Sequence, residues 1–215
     1  MAITRFEVKE LAATAVAVIG VAFVAGMLLV RSASAADPAE DSKRSLEKLM
    51  KDRAVFLSKP IDDESAKDVI AKLLFLKAVT NAPITLYINS PGGSVTAGLA
   101  IIETIESLNC EVRTVCTGRA DSLAAIILAS GTHGARTSIT NAAIAFSDVW
   151  SNAPDSPQAA EYVRRLRTKL LEQTAKVTGQ TTNEIEKLFV SRRPVAAEEA
   201  IRLGIIDRQI KASSR

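Results

Sequence analysis

The sequence predicts an α/β domain with parallel strand pairing, and three observations predict it. From Arg53 onward, β-like runs alternate with helical runs, the repeat that a parallel sheet with crossover helices requires. The composition, 47% hydrophobic and 24% charged, is that of a globular chain able to bury a core. The 215 residues suffice for one domain of about 150–200 residues plus an extension.

The elements follow in order. "AVFLSKPI" is a short strand. "DDESAKDVIAKLLFLKAV" opens on acids and carries Val69, Ile70, Leu73, Leu74 and Leu76, so it reads as an amphipathic helix. "ITLYIN" is a strand closed by "SPGGS", and "VTAGLAIIETIESL" is a helix. "EVRTVCT" is a strand that stops at Gly118. "SLAAIILAS" is a short and almost wholly apolar helix, hence buried, and "GTHGAR" is a turn. "AAIAFS" is a short strand. "SPQAAEYVRRLRTKLLEQTAKVT" is a long amphipathic helix, capped by Ser156-Pro157 and ended near Gly179. "TTNEIEKLF" and "AAEEAIRLG" are short helices, and "IIDRQI" is a last strand. No internal repeat is visible.

Residues 11–30 contain no charge, and 20 apolar residues are long enough to span a bilayer as a helix. Ala33-Ser34-Ala35 fits a small-x-small cleavage site. Residues 1–35 are therefore a signal peptide or a retained membrane anchor. Either one leads to an exported domain, periplasmic or anchored facing outside the cytoplasm. Lys and Arg are similar in number on the two flanks, so the charges leave the orientation open. Residues 36–52 read as a charged linker or short solvated helix, 53–211 as the main domain and 212–215 as a tail.

Composition excludes some functions. A net charge of +3 without a Lys/Arg block, and 4% aromatics, give no footprint for nucleic acid. The two cysteines, Cys110 and Cys116, lie about 20 Å apart along one strand, too far for a disulfide; with no His/Cys cluster beside them, no metal site is expected.

Two features point to chemistry. Ser122 stands where a strand gives way to a helix, a turn that exposes a side chain to attack a carbonyl. "NSPGGS" lets the backbone turn sharply and present bare N–H groups. No lysine follows the glycines and no GxGxxG is present, so a phosphate cradle is weakly supported; an oxyanion hole or a plain turn remain. A serine nucleophile needs a base, and the chain holds one histidine, His133, in a turn about nine residues of helix, roughly 15 Å, from Ser122.

"LYINSPGGSVTAGLAI", "ADSLAA", "GTHGAR", "GQTTNEIEK" and "AAEEAIRLGIID" together resemble the ClpP family, the proteolytic subunits of the Clp protease, over about Arg53 to Ile210. The resemblance implies a ClpP/crotonase-like spiral of ββα units with a protruding handle helix, Pro157 to Val177. It implies stacked heptameric rings enclosing a proteolytic chamber and fed by an ATP-driven unfoldase. Of the unfoldase-docking aromatics, Tyr87 is kept and Thr85 replaces another.

Carried over by position, the nucleophile falls on Ser122, the oxyanion-hole residues on Gly93 and Leu123, and peptide contacts on Gly92 and Ser94. The family's histidine falls on Ser147 and its aspartate on Arg192, so both supporting members of the triad are replaced. Asp121 stands where the family has a small residue, and its carboxylate would oppose charge on the oxyanion. Asp148 follows Ser147, and strand alternation would turn it to the opposite face. Lys169, Lys176 and Lys187 are the remaining bases to consider. The segment "VWSNAPDSPQ", with the one tryptophan, Trp150, is about four residues shorter than the family's ring-pairing strand.

The expected function is a degenerate, ClpR-like member acting as a structural, regulatory or peptide-binding subunit. The alternatives are an active serine endopeptidase with an unrecognised base, and a crotonase-like scaffold reused for other oxyanion chemistry. No cofactor is expected. The expected partners are copies of itself or Clp-like subunits, a peptide or unfolded protein, and a membrane through residues 11–30.

Overall fold

The computed structural model describes residues 47–148 and 156–210. Residues 1–35, expected to be a signal peptide or anchor, Trp150 and the tail of residues 212–215 lie outside the described residues, as does most of the 36–52 linker. Among the described residues, no helix is long and apolar enough to cross a membrane. Those from Lys48 onward belong to one compact unit.

That unit is an α/β domain. Strands β1 (Ala54–Leu57), β2 (Ile84–Ser90), β3 (Val112–Asp121), β4 (Arg136–Ile139) and β7 (Arg208–Ile210) lie side by side in that order. All of those pairings are parallel. The crossovers carry helices α1 (Asp63–Val79) and α2 (Val95–Ser107), and the seven-residue α3 (Leu123–Ala129) follows β3. Next come β5 (Ala143–Ala145), α4 (Pro157–Thr178), α5 (Thr182–Ser191), β6 (Pro194–Val195) and α6 (Ala197–Arg202).

Local chemistry sets the boundaries. Asp62 caps α1 by accepting from the Ser65 N–H at 2.7 Å, and Ser65 returns the bond to the Asp62 N–H at 2.9 Å. α4 begins with Ser156 accepting from the Ala159 N–H at 3.1 Å, has Pro157 in its first turn, and ends at Gly179 with φ 73°. α4 has 22 residues, about 33 Å of helix, yet its buried residues are Leu170, Leu171, Thr174, Val177 and Thr178. No residue of its N-terminal half is fully buried, which fits the expected handle.

The core lies between the sheet and helices α1, α2 and α3, whose apolar residues from Val55 to Ile206 form one cluster. All seven residues of α3 are buried, as an apolar helix without a polar face must be.

Three strand expectations change. β3 does not stop at Gly118 but runs to Asp121. The ladder with β2 jumps from Ile88↔Cys116 to Ser90↔Ala120, so extra residues of β3 bulge out around Gly118. The Asn89 side chain accepts the Arg119 N–H at 3.1 Å inside that bulge, and Arg119 to Asp121 then pair with β5. β4 follows the "GTHGAR" turn, where no strand was expected; its first three residues are polar but buried, which hides the alternation a strand shows in sequence. β6 is two residues long, opens on a proline and pairs antiparallel with β5, too short for any sequence pattern.

Candidate active site

Ser122 joins β3 to α3 with φ 52° and ψ −118°, a left-handed conformation that a serine adopts only under constraint. The constraint is visible on both sides. Its N–H donates to the Ala145 carbonyl of β5 at 2.8 Å, and its carbonyl accepts from the Ala125 N–H at 3.0 Å. Ser122 holds the N-cap position of α3, but its hydroxyl makes no capping bond. The side chain is thus turned to other uses than helix capping.

The glycine turn is built against this serine. Gly92 has φ 80°, and a Cβ there would meet the Asp121 carbonyl oxygen at 2.5 Å. Gly93 has φ 151°, and a Cβ there would meet the Ile61 carbonyl oxygen at 2.2 Å. Only glycine lets the turn approach so closely. The turn is tied down by Ser90, whose buried hydroxyl donates to the Lys59 carbonyl at 2.6 Å and accepts the Gly92 N–H at 3.2 Å. The Ile61 N–H donates to the Gly92 carbonyl at 2.8 Å, and the Ser94 N–H to the Ile61 carbonyl at 2.7 Å. Leu123, as first helical residue, has no intrahelical acceptor for its N–H.

Gly93, Ser122, Leu123, Ser147 and Asp148 line one cavity of about 240 Å³, together with Pro91 and Val95. Five residues named from the sequence therefore meet, although they come from three separate segments. Gly92 and Ser94 flank them; the Ser94 hydroxyl caps α2, accepting the Ala97 N–H at 3.4 Å. Arg192 does not join the cavity. It is exposed at the C-cap of α5 with φ 50°.

Asp148 requires a correction. The strand ends at Ala145, so its alternation does not reach residue 148, and Asp148 shares the cavity with Ser147. Its carboxylate accepts from Arg167 Nε of α4 at 2.8 Å. Arg167 also donates to Glu186 of α5 at 2.9 Å, and these two hydrogen bonds, the Asp148 one first, hold the guanidinium firmly protonated. Phe146, stacked on Phe189 at 5.8 Å and buried, anchors the chain just before Ser147.

The concern over Asp121 is also met by the fold. Arg119, two residues back on the same strand face, donates to its carboxylate at 2.8 Å and balances the charge beside Ser122. The other bases stand elsewhere: Lys169 pairs with Glu103 at 2.9 Å, Lys176 with Glu106 at 2.8 Å, and Lys187 and His133 are exposed. Cys116 offers no alternative nucleophile, since burial pushes its thiol up to about 11. Asp148 and the Arg167 link were hidden in the sequence because they depend on where β5 ends and which face of α4 meets α5.

Comparison with known proteins places this geometry. The chain matches the family described as Clp protease over residues 37–213. It is 39% identical over 166 residues to the ATP-dependent Clp protease proteolytic subunit 1 of Thermobifida fusca (strain YX), covering 74% of this chain and 75% of that protein.

Proposed function

The chain belongs to the Clp protease family as a relative of its proteolytic subunits, and from that premise we propose that it binds extended peptide beside Ser122 but turns it over poorly. One observation carries the reading. The cavity brings Ser122, Gly93 and Leu123 together, and among the described residues its lining includes Ser147 but no imidazole or amine. A hydroxyl at position 147 cannot take the nucleophile's proton near neutral pH.

The magnitude follows from what is left. Oxyanion stabilisation and binding without a complete triad supply about 10³–10⁴-fold over water. Losing a second member costs little more than losing the first, because the triad acts as a unit. The product is a peptide-binding, structural or regulatory subunit, assembled with its own copies or with Clp-like subunits. We place it outside the cytoplasm, carried or tethered by residues 1–35, where no ATP-driven unfoldase would feed it; intact mass of the purified N-terminus reads whether that segment is retained.

A fluorophosphonate label tests the reading. Ser122 is expected to label at least about 10²-fold more slowly than a complete triad would, while labelled peptides still bind. Rapid labelling that disappears in Ser122→Ala, together with casein cleavage, would establish an active endopeptidase instead.

A further inference from the structure

We propose that Ser90 is a positioning residue, whose buried hydroxyl holds the glycine turn so that the Gly93 N–H faces the cavity beside Ser122. The inference rests on the reading above, that this cavity takes an extended peptide. Ser90 is the last residue of β2 and is fully buried. Its hydroxyl donates to the Lys59 carbonyl at 2.6 Å and accepts the Gly92 N–H at 3.2 Å. A serine is the shortest side chain that gives and takes a hydrogen bond at one atom. Ser90 thereby ties the turn to a segment 31 residues earlier in the chain. That segment is itself held: the Ser65 hydroxyl of α1 donates to the Pro60 carbonyl at 3.0 Å, and Asp62 caps the same helix.

Gly93 forms a parallel bridge with Ile61. Its two bonds run from the Ile61 N–H to the Gly92 carbonyl and from the Ser94 N–H to the Ile61 carbonyl. They use the groups on either side of Gly93, so the Gly93 N–H itself points away from Ile61. Gly93 also lines the cavity that holds Ser122 and Leu123, which leaves that open side to its N–H. The turn lies close against the serine: a Cβ on Gly92 would stand 3.0 Å from the Ser122 Cβ and 3.3 Å from the Leu123 nitrogen. A small rotation of the Gly92 peptide therefore moves the Gly93 donor relative to Ser122. With φ 80° at Gly92 and φ 151° at Gly93, the two glycines carry no side chain to resist that rotation. The Ser90 hydroxyl supplies the brace. Losing an oxyanion donor costs about 10²–10³-fold, and misplacing one by about 1 Å costs up to about 10²-fold. Contacts along the rest of a bound peptide do not depend on that one donor.

The test compares, on the whole chain and by calorimetry, the affinity of an alanine-based tetrapeptide boronic acid with that of the matching tetrapeptide amide. Ser122 Oγ adds to the trigonal boron, its proton leaves to water, and the tetrahedral boronate takes the negative charge beside the oxyanion donors. The reading is taken at equilibrium, so a missing base slows it without changing it. The unsubstituted chain is expected to bind the boronic acid about 10²-fold or more tighter than the amide. Ser90→Ala, checked for fold by circular dichroism, is expected to cut that ratio at least about tenfold while the Kd of the amide moves less than about twofold. Thr174→Val removes another buried hydroxyl, one that donates to the Leu170 carbonyl of α4 at 2.6 Å, and is expected to leave the ratio unchanged. A ratio unchanged in Ser90→Ala, or lowered equally in Thr174→Val, overturns the inference. Should Ser90→Ala not fold, hydrogen exchange on the unsubstituted chain decides. The Gly92 amide is expected to be protected, and the Gly93 amide to exchange freely until the boronic acid binds; a freely exchanging Gly92 amide overturns the inference. A chain that binds the amide with no advantage for the boronic acid overturns this inference and leaves the proposed function standing. A chain that binds neither overturns both.

Discussion

At the scale of single residues, Ser122 holds a backbone conformation that costs stability. A non-glycine residue with φ 52° and ψ −118° stores about 1–3 kcal/mol, and its hydroxyl makes no capping bond in return. Ser122→Gly removes the Cβ that makes this conformation strained. The expected outcome is a more stable protein, by about 1 kcal/mol in the chemical-denaturation midpoint, that no longer takes a fluorophosphonate. A destabilised variant would mean that the hydroxyl supports the fold. Gly92 shows the same logic reversed: the residue without a side chain is the one against which Ser122 is set.

At the scale of elements, the site depends on where three short segments end. β3 reaches Ser122 only because the bulge around Gly118 absorbs extra residues and lets Arg119 to Asp121 pair again with β5. β5 ends at Ala145, and the Phe146–Phe189 stack fixes the exit of the chain toward Ser147. Phe189 is buried on α5, so Phe189→Ala leaves a cavity and is expected to cost about 3–5 kcal/mol. Thermal denaturation reads that loss. Peptide binding beside Ser122 should fall with it even in the fraction that stays folded, since Ser147 and Asp148 lose their anchor; unchanged binding would show that the stack does not position them.

At the scale of the whole molecule, one charged pair ties the far edge of the sheet to the helices. Arg136 is buried and donates to both carboxylate oxygens of Asp207, to the Ala129 carbonyl at the end of α3 and to the Val177 carbonyl at the end of α4. Burial pushes the Asp207 carboxyl up, but hydrogen bonds from the Arg136 side chain and from the Arg136 and Gly134 N–H groups outweigh it and hold the group below its ordinary 3.8. A carboxyl with a depressed folded value gives its stability above the unfolded value and loses it as pH falls through the folded one. Unfolding free energy is therefore expected to fall on acidification below about pH 4, and Asp207→Asn to cost about 3 kcal/mol at pH 7 while flattening that fall. Denaturant titrations at several pH values read both. On the opposite side, α1 exposes Leu74, Phe75 and Val79, each at least 50% accessible. Apolar residues so grouped mark an assembly surface. Light scattering should find an oligomer that Phe75→Glu reduces toward monomer; an oligomer unchanged by Phe75→Glu would place the contact elsewhere.

The sequence by itself determined the α/β class, the helices and the caps of α4, because periodicity and capping residues act within a few positions of where they stand. It also carried Ser122 and the glycine turn, since a strand-to-helix junction and a sharp turn announce themselves locally, while Gly93 and Leu123 were singled out only by the family resemblance. The tertiary structure alone decided that β3 runs past Gly118, that a two-residue strand closes on β5, and that Asp148 shares the cavity with Ser147. Those outcomes depend on bulges, on pairings between distant segments and on where a strand runs out of partners. No short-range pattern encodes them, because the forces that fix them come from residues far away in the chain.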